Sequence, residues 1–150
     1  MVAIGCCDDS ALRSGLFSAG FYQAHLSGAD HFGKAHRPAN KPMLPRYSRH
    51  YYDLALLARS TVRQEALTDL ALLKSVVDFK QRFYPSAWAK YELANPGNFS
   101  LLPPVERYRE VEKDYQAIQA MIFDKALAFA EIIVRLKGLE KEINAADRLI

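Results

Sequence analysis

The residues best suited to chemistry lie in one short stretch that begins at Arg46. Helical spacing of i, i+3, i+4 and i+7 would place four polar side chains on one side: Arg46, Arg49, His50 and Asp53. Guanidinium and imidazole groups bind phosphate, and a carboxylate holds Mg²⁺ or a basic group. The same spacing also fits an ordinary intrahelical ion pair between Arg49 and Asp53, with Tyr51 in the core. The pattern by itself favours this second interpretation.

Histidine is the commonest metal ligand in proteins, and all four histidines fall in the first third of the chain: His25, His31, His36 and His50. Their spacings are loose, and no carboxylate or thiol joins them at ligand spacing. We therefore expect exposed loop histidines rather than a zinc site.

Acidic residues recur two apart in Glu110-x-Glu112-x-Asp114 and in Glu140-x-Glu142. Side chains two apart on a helix point about 200° away from each other, so we expect a solvated face rather than a metal site. The sequence has no Gly-x-Gly-x-x-Gly, Walker or Gly-x-Ser-x-Gly motif and no Asp-x-Asp pair. No enzyme class that these motifs define is indicated.

Positive charge is concentrated towards the N-terminus. Of the 150 residues, residues 1–60 hold seven basic and four acidic side chains, whereas residues 61–150 hold thirteen of each. Residues 31–52 carry five basic residues, no acidic one and three tyrosines. Cations interleaved with aromatic rings suit single-stranded RNA, and contact with an RNA such as tRNA is one interpretation of this arm. The other is a solvated basic loop.

The elements that position these residues are predicted to be helices. Prolines at 38, 42 and 45 predict an extended, partly polyproline loop that ends where a first helix begins near Tyr47. Thr61 and Gln64 form a candidate capping box for a second helix, which Pro85 ends. A third helix follows Pro103 and Pro104, and Asp124 is the candidate cap of a fourth.

Apolar residues recur at helical spacing in each of these segments, and no segment alternates as a strand does. The four stripes comprise Tyr47, Tyr51, Leu54 and Ala58; Leu67, Leu70, Leu73, Val76 and Val77; Val105, Tyr108, Val111, Tyr115, Ile118 and Ile122; and Leu127, Ile132, Ile133, Leu136, Leu139 and Ile143. We predict an all-α fold, a three- to four-helix bundle with an irregular basic N-terminal arm.

Composition indicates a globular chain, since half of the residues are hydrophobic and a quarter are charged. The adjacent Cys6 and Cys7 are poorly placed to pair with each other or to bind zinc, so we expect reduced thiols and a cytoplasmic location. No apolar run approaches the roughly 20 residues that span a bilayer, and no signal peptide is evident, so no membrane partner is expected.

Several segments, in the same order and with similar gaps, resemble the C-terminal part of the AbiEii/AbiGii-type nucleotidyltransferase toxins. The resemblance covers residues 35–148. The segments are His36-Arg37-Pro38, Lys41-Pro42, residues 45–54, 76–80, 83–85, 101–104, 114–115 and 121–123, and Leu139-Glu140-Lys141-Glu142-Ile143-Asn144.

The resemblance implies a two-lobed enzyme of bacteria, often used in phage defence by abortive infection and neutralised by a cognate antitoxin protein. A polymerase-β-like lobe carries Gly-Gly-Ser and Asp-x-Asp motifs, and a helical lobe completes the site for NTP and Mg²⁺. Arg49 and Asp53 match the family's Arg-x-x-x-Asp pattern, and His50 stands where many members have a further aspartate. The predicted catalytic residue is Asp53, and the predicted substrate-binding residues are Arg46, Arg49 and Arg37.

Residues 1–33 do not resemble the family, and neither the Gly-Gly-Ser nor the Asp-x-Asp motif is present. We therefore expect a divergent segment over 1–33 and the helical lobe over 34–150, as a truncated or frameshifted gene would produce. Nucleotidyl transfer needs two metal ions held by clustered carboxylates, so we expect the chain alone to be inactive. The alternative is a non-catalytic module that binds protein or RNA. A face that met a missing lobe would be apolar, which predicts self-association.

Overall fold

The computed structural model describes residues 29, 31–123 and 125–146. Within these residues no strand occurs, which confirms the predicted all-α bundle. The described chain contains five α-helices of seven residues or more: α1, Ser48–Leu57; α2, Val62–Thr68; α3, Leu70–Phe83; α4, Tyr108–Ile118; and α5, Phe129–Ala145. Single 3-10 turns lie at Tyr91–Leu93, Val105–Arg107 and Gln119–Met121.

Helix α1 is the centre of the bundle because it packs against both α4 and α5. Its predicted stripe is largely confirmed, since Tyr47, Tyr51 and Leu54 are buried and Ala58 is half-buried. Helix α4 supplies Val111, Tyr115 and Ile118 to the core, and α5 supplies Ile132, Leu136 and Ile143, at the predicted helical spacing. Burial of these apolar side chains holds the three helices together.

The second predicted helix is interrupted at Asp69, where the backbone leaves helical geometry at φ −116° and ψ 69°. The Asp69 carboxylate accepts a hydrogen bond of 3.0 Å from the Leu72 amide and so caps the start of α3. Thr61 makes no side-chain cap for α2, because its own backbone is already helical. The predicted capping box at Thr61 is therefore wrong. Helix α3 ends at Phe83, before Pro85, as predicted.

Helix α4 continues from the 3-10 turn that follows Pro104, close to the predicted start. Val105 belongs to the predicted stripe, but its side chain is exposed because it precedes the α-helical turn. The predicted cap of the last helix, Asp124, lies outside the described residues. Helix α5 begins after Ala128, and this position makes no side-chain cap.

Polar side chains of α5 fasten the loop that precedes α4. The Asn144 amide oxygen accepts from the backbone N–H groups of Gly97 at 3.0 Å and Phe99 at 2.7 Å, and its NH₂ group donates to the Phe99 carbonyl. The Leu101 N–H donates to Glu140. The solvated face predicted for the Glu140-x-Glu142 pair is therefore wrong for Glu140, because its carboxylate accepts a hydrogen bond from a loop amide.

The N-terminal arm is less irregular than predicted, because residues 31–35 are helical. The centre of the Phe32 ring lies 5.3 Å from that of Phe99, and the centre of the His31 ring lies 4.5 Å from that of Tyr51, with the two rings tilted by 53°. These contacts favour helix over the extended conformation that the prolines further along suggest. Turns then lead to α1. In the part of the chain that the structure describes, no helix has both the length and the apolar character needed to cross a membrane.

Candidate functional site

A pocket of about 500 Å³ lies beside the outward face of α1. One wall carries Arg46, Arg49, Tyr52, Asp53 and Leu56. The opposite wall comes from the end of α4 and the segment after it, through Ile118, Met121, Ile122 and Phe123. This volume falls within the range typical of small-molecule sites. The structure thus brings three of the four predicted site residues together.

The charged wall combines two guanidinium groups with one carboxylate. Arg49 Nε lies 3.7 Å from Asp53 Oδ2, one helical turn away, and the two side chains are 74% and 49% exposed. Tyr51 is buried in the core, so the ordinary interpretation of this stretch holds as well. An exposed ion pair of this kind stabilises by only about 0–1 kcal/mol. Arg49 can therefore exchange Asp53 for an anionic ligand at little cost.

Arg46 reaches the pocket from an unusual backbone conformation, with φ 62° in the left-handed region. An L-residue in this region costs roughly 1–2 kcal/mol, so other interactions must hold it there. The Arg46 N–H donates a hydrogen bond of 2.7 Å to Asp114 Oδ1. Asp114 Oδ2 accepts from the Ser48 N–H at 2.9 Å and from the Ser48 hydroxyl at 2.6 Å. Asp114 of α4 thus fixes both Arg46 and the start of α1.

The protonation state of Asp114 follows from these contacts. Partial burial by itself raises the pKa of a carboxyl group. Here, the Ser48 hydroxyl and the backbone N–H groups of Ser48, Arg46 and Tyr47 donate to the carboxylate, and together they hold the pKa of Asp114 below its ordinary value. Asp114 is therefore ionised at neutral pH and stabilises the N–H groups at the start of α1, which have no partner within the helix.

The neighbouring Glu110 completes the attachment of the basic arm to α4. Its carboxylate accepts from the Met43 N–H at 2.9 Å and lies 3.2 Å from the buried Arg107 guanidinium. The solvated face predicted for Glu110 and Asp114 is therefore wrong, because both accept hydrogen bonds from the arm. The sequence carries a signal for this role: Glu110 and Asp114 are one turn apart, and residues 31–52 have no acidic residue of their own.

Arg37 does not line this pocket. Its Nε donates to the Pro42 carbonyl at 3.1 Å, and its guanidinium lies 5.4 Å above the Trp88 ring. The Arg37 side chain thus connects the turn that contains Pro42 with Trp88. Arg37 is thus placed apart from the other three predicted site residues.

His31 is a core residue, which corrects the expectation of exposed loop histidines. It is 1% exposed, and its Nε2–H donates to the His50 carbonyl at 3.1 Å. Burial lowers the pKa of His31 to about 3, although the hydrogen bond to His50 favours the charged form. His36 is partly buried and its Nδ1–H donates to the Phe32 carbonyl at 3.0 Å, whereas His50 is exposed. His25 lies outside the described residues.

The tyrosines of the arm are likewise part of the core. Tyr47, Tyr51 and Tyr52 are all buried. Lys34 packs its ammonium 3.7 Å from the centre of the Tyr47 ring. These rings cannot stack on RNA bases in this conformation, so the aromatic part of the predicted RNA contact is not available. Only the exposed cations of the arm remain for a nucleic acid.

The donor set of the pocket does not fit a pair of magnesium ions. Mg²⁺ prefers oxygen ligands in near-octahedral geometry, and two ions need several clustered carboxylates. Of the residues that the structure describes, Asp53 is the only carboxylate that lines the pocket, and two arginines stand beside it. Among the described residues, no group of three or more His, Cys, Asp or Glu side chains is arranged to hold a metal ion. The geometry fits the anionic groups of a substrate instead.

The fold and the site together define a helical bundle with a cationic pocket on its central helix. Residues 31–135 match the family described as "Nucleotidyl transferase AbiEii toxin, Type IV TA system". The match covers more than half of the chain, and the chain belongs to this family of nucleotidyltransferase toxins. The predicted family is thereby confirmed. No curated protein and no solved structure matches the chain.

Proposed function

We propose that this helical lobe binds the phosphate groups of a nucleoside triphosphate in the pocket on α1. The observation that carries the proposal is the convergence of Arg46 and Arg49 on one side of a pocket whose other side is apolar. Guanidinium groups bind phosphate oxygens in bidentate fashion. The apolar side, from Ile122 and Phe123, suits the sugar and the base. Membership of the family supports the choice of a nucleotide, since nucleotidyltransferases consume NTP with a divalent metal.

Asp53 is proposed to position the substrate or a reacting hydroxyl, as the family's Arg-x-x-x-Asp pattern implies. Its carboxylate lies next to Arg49, so its own contribution to phosphate binding is repulsive. Asp53 alone does not provide the ligands for two metal ions. We therefore propose that these 150 residues bind nucleotide without transferring it.

Nucleotide binding is tested by calorimetric titration of the chain with each NTP and with inorganic triphosphate. Arg46→Gln and Arg49→Gln are each expected to weaken binding about tenfold, since each removes one charge-assisted phosphate contact. Arg37→Gln is the matched control, because Arg37 lies outside the pocket and should leave affinity unchanged. Equal affinity of all three variants and the unaltered chain would show that the pocket is not the phosphate site.

Transfer is tested separately, by incubating the chain with labelled NTP, Mg²⁺ and bulk tRNA. We expect no label in RNA. Clear transfer that disappears in Asp53→Asn would refute the proposed inactivity while identifying Asp53 as catalytic. Transfer that survives the substitution would refute both the inactivity and the role of Asp53.

Contact with an RNA such as tRNA through residues 31–52 is the second candidate, and its support is charge. This arm carries five cations and no acidic residue. With its tyrosines buried, the contact would be to phosphates, so affinity should fall steeply as salt rises and should not depend on base identity. An affinity for RNA that is weak even at low salt and does not change with salt concentration would instead favour a non-catalytic module that docks onto a protein.

The family is a toxin–antitoxin family, and membership implies a cognate antitoxin. We further propose a boundary near residue 33 between a divergent segment and the helical lobe. A cytoplasmic location and a role in bacterial phage defence by abortive infection are proposals from the family resemblance. Expression with and without the neighbouring gene, scored for growth and for phage plating, tests the cellular role.

A further inference from the structure

A cluster of exposed aromatic rings lies at the end of α3, outside the pocket and the basic arm. The ring cluster consists of Phe79, Phe83 and Tyr84, which are 43%, 60% and 62% exposed. The Phe79 ring centre lies 4.8 Å from that of Phe83 and 6.1 Å from that of Tyr84. Single exposed apolar residues are ordinary, but three adjacent aromatic rings in water need an explanation.

The ring cluster is not the core face of its helix. Helix α3 contributes Leu73, Val76 and Val77 to the core. The exposed rings continue beyond this face at the last turn, where Tyr84 ends the helix and its N–H donates to the Lys80 carbonyl at 2.8 Å. Core packing of these helices therefore does not account for the rings.

Cations surround the ring cluster at close range. Lys80 Nζ lies 5.4 Å from the centre of the Tyr84 ring, and the Arg82 guanidinium lies 5.6 Å from that of Phe83. These are cation–π distances. Residues 74–90 contain four basic residues and a single acidic one, Asp78. Two cations, Lys80 and Arg82, therefore lie against the rings, within a segment whose net charge is positive.

This chemistry favours a nucleic acid over a protein partner. The buried centre of a protein interface is depleted of charge, and a protein docked on these rings would have to desolvate Lys80 and Arg82 beside them. A single-stranded nucleic acid fits both the rings and the cations, because its bases stack on aromatic rings and its phosphates pair with cations. A duplex hides its bases and would use only the cations.

We infer that the ring cluster is a stacking surface for a short run of single-stranded nucleic acid. The ring cluster shares no residue with the pocket on α1, so this inference does not depend on the proposed nucleotide binding. Unlike the buried tyrosines of the arm, these rings are open to a base. Arg82 and Lys80, which lie next to Phe83 and Tyr84, provide the phosphate contacts.

The test is fluorescence anisotropy of the full 150-residue chain with labelled oligo(U) and oligo(dT) of about 12 nucleotides, a length suited to such surfaces. Phe83→Leu and Tyr84→Leu keep an apolar side chain and remove the aromatic face, and each should weaken binding about tenfold. Phe83→Tyr keeps the ring and should bind like the unaltered chain. Arg82→Gln should lower the slope of log affinity against log salt by about 0.7, the value for one phosphate on a single strand.

The matched controls lie on α5. Val134→Ala removes an exposed apolar side chain, and Lys137→Gln removes an exposed charge, both away from the rings. Both should bind like the unaltered chain. Circular dichroism checks that every variant remains helical, and the change in salt slope expected for Arg82→Gln keeps the test decisive if a leucine variant unfolds.

Three outcomes would overturn the inference. The first is binding by the leucine variants as tight as that of the unaltered chain. The second is equal affinity for a duplex of the same length, which cannot stack its bases on the rings. The third is a leucine variant that changes self-association or protein binding but leaves oligonucleotide affinity unchanged. Preference for RNA or for DNA would each support the surface and would identify its natural ligand class.

Discussion

Arg46→Gly should make the chain more stable while weakening its binding of triphosphate. Arg46 has φ 62°, and a left-handed conformation costs an L-residue roughly 1–2 kcal/mol. Glycine adopts this conformation freely, but it loses more backbone entropy on folding, by roughly 0.5–1 kcal/mol. The hydrogen bond from the backbone N–H to Asp114 does not depend on the side chain. We therefore expect a net gain of about 0.5–1 kcal/mol in the free energy of unfolding.

The cost should appear only in ligand binding, since the guanidinium that lines the pocket is lost. Urea denaturation gives the stability change, and calorimetric titration with inorganic triphosphate gives the affinity, which should fall about tenfold. Lys90→Gly is the matched control: Lys90 also has a positive φ, 51°, but lies outside the pocket. It should gain similar stability and keep full affinity.

Each result that contradicts this reasoning is distinct. A loss of stability in Arg46→Gly would mean that the arginine side chain stabilises the fold by more than the backbone strain costs. Unchanged triphosphate affinity would mean that Arg46 is not a phosphate ligand. An equal affinity loss in Lys90→Gly would attribute the effect to a general change in charge rather than to the pocket.

Three further predictions concern the core, the arm and the apolar rim. Burial lowers the pKa of His31 to about 3, so below about pH 6.5 the unfolded chain binds a proton that the folded chain does not. The free energy of unfolding should therefore fall by up to about 1.4 kcal/mol per pH unit as the pH drops from about 6.5 towards about 3. His31→Gln should remove that slope in urea denaturation measured between about pH 7 and about pH 5, and an unchanged slope would exclude His31 as its source. Asp114→Asn should lower the free energy of unfolding by about 1–2 kcal/mol at neutral pH. Because the pKa of Asp114 is lowered in the folded chain, this loss should shrink as the pH falls through that pKa. A loss that does not depend on pH would argue against the ionised contact with Ser48. Phe123→Ser should reduce self-association in sedimentation at high concentration, whereas Val134→Ser should not, and a monomer at every concentration would remove the basis for an apolar docking face.

The fold could be predicted from sequence wherever a stripe of apolar residues coincides with one helix. Tyr51 and Leu54 in α1, and Ile132 and Leu136 in α5, are buried at the predicted spacing. The interruption at Asp69 was missed, because the apolar pattern runs through it and only the local hydrogen bond to Leu72 decides where α3 begins. Periodicity reports burial and says little about such a cap.

The candidate site could be predicted only in part, for a related reason. Arg49 and Asp53 are neighbours within one helix, so their pairing follows from spacing alone. Asp114 holds Arg46 and Ser48 from more than sixty residues away, and a contact of that range depends on how α4 packs on α1. Arg37 lies within the matching stretch but is turned towards Trp88, which its position in the sequence does not reveal.

Helix α1 combines the centre of the core with one wall of the pocket, and this determines how the site can be studied. Its inward side chains, such as Leu54, hold the bundle, whereas Arg49 and Asp53 face solvent and contribute little to stability. Substitutions of the outward residues should therefore report on ligand binding without unfolding the chain. Asp114 differs, because it fixes both the fold of α1 and the position of Arg46, so its substitution changes stability and binding together. A loss of binding in Asp114→Asn that exceeds the loss in Arg46→Gln would show that the attachment of α1 to α4 shapes the whole pocket.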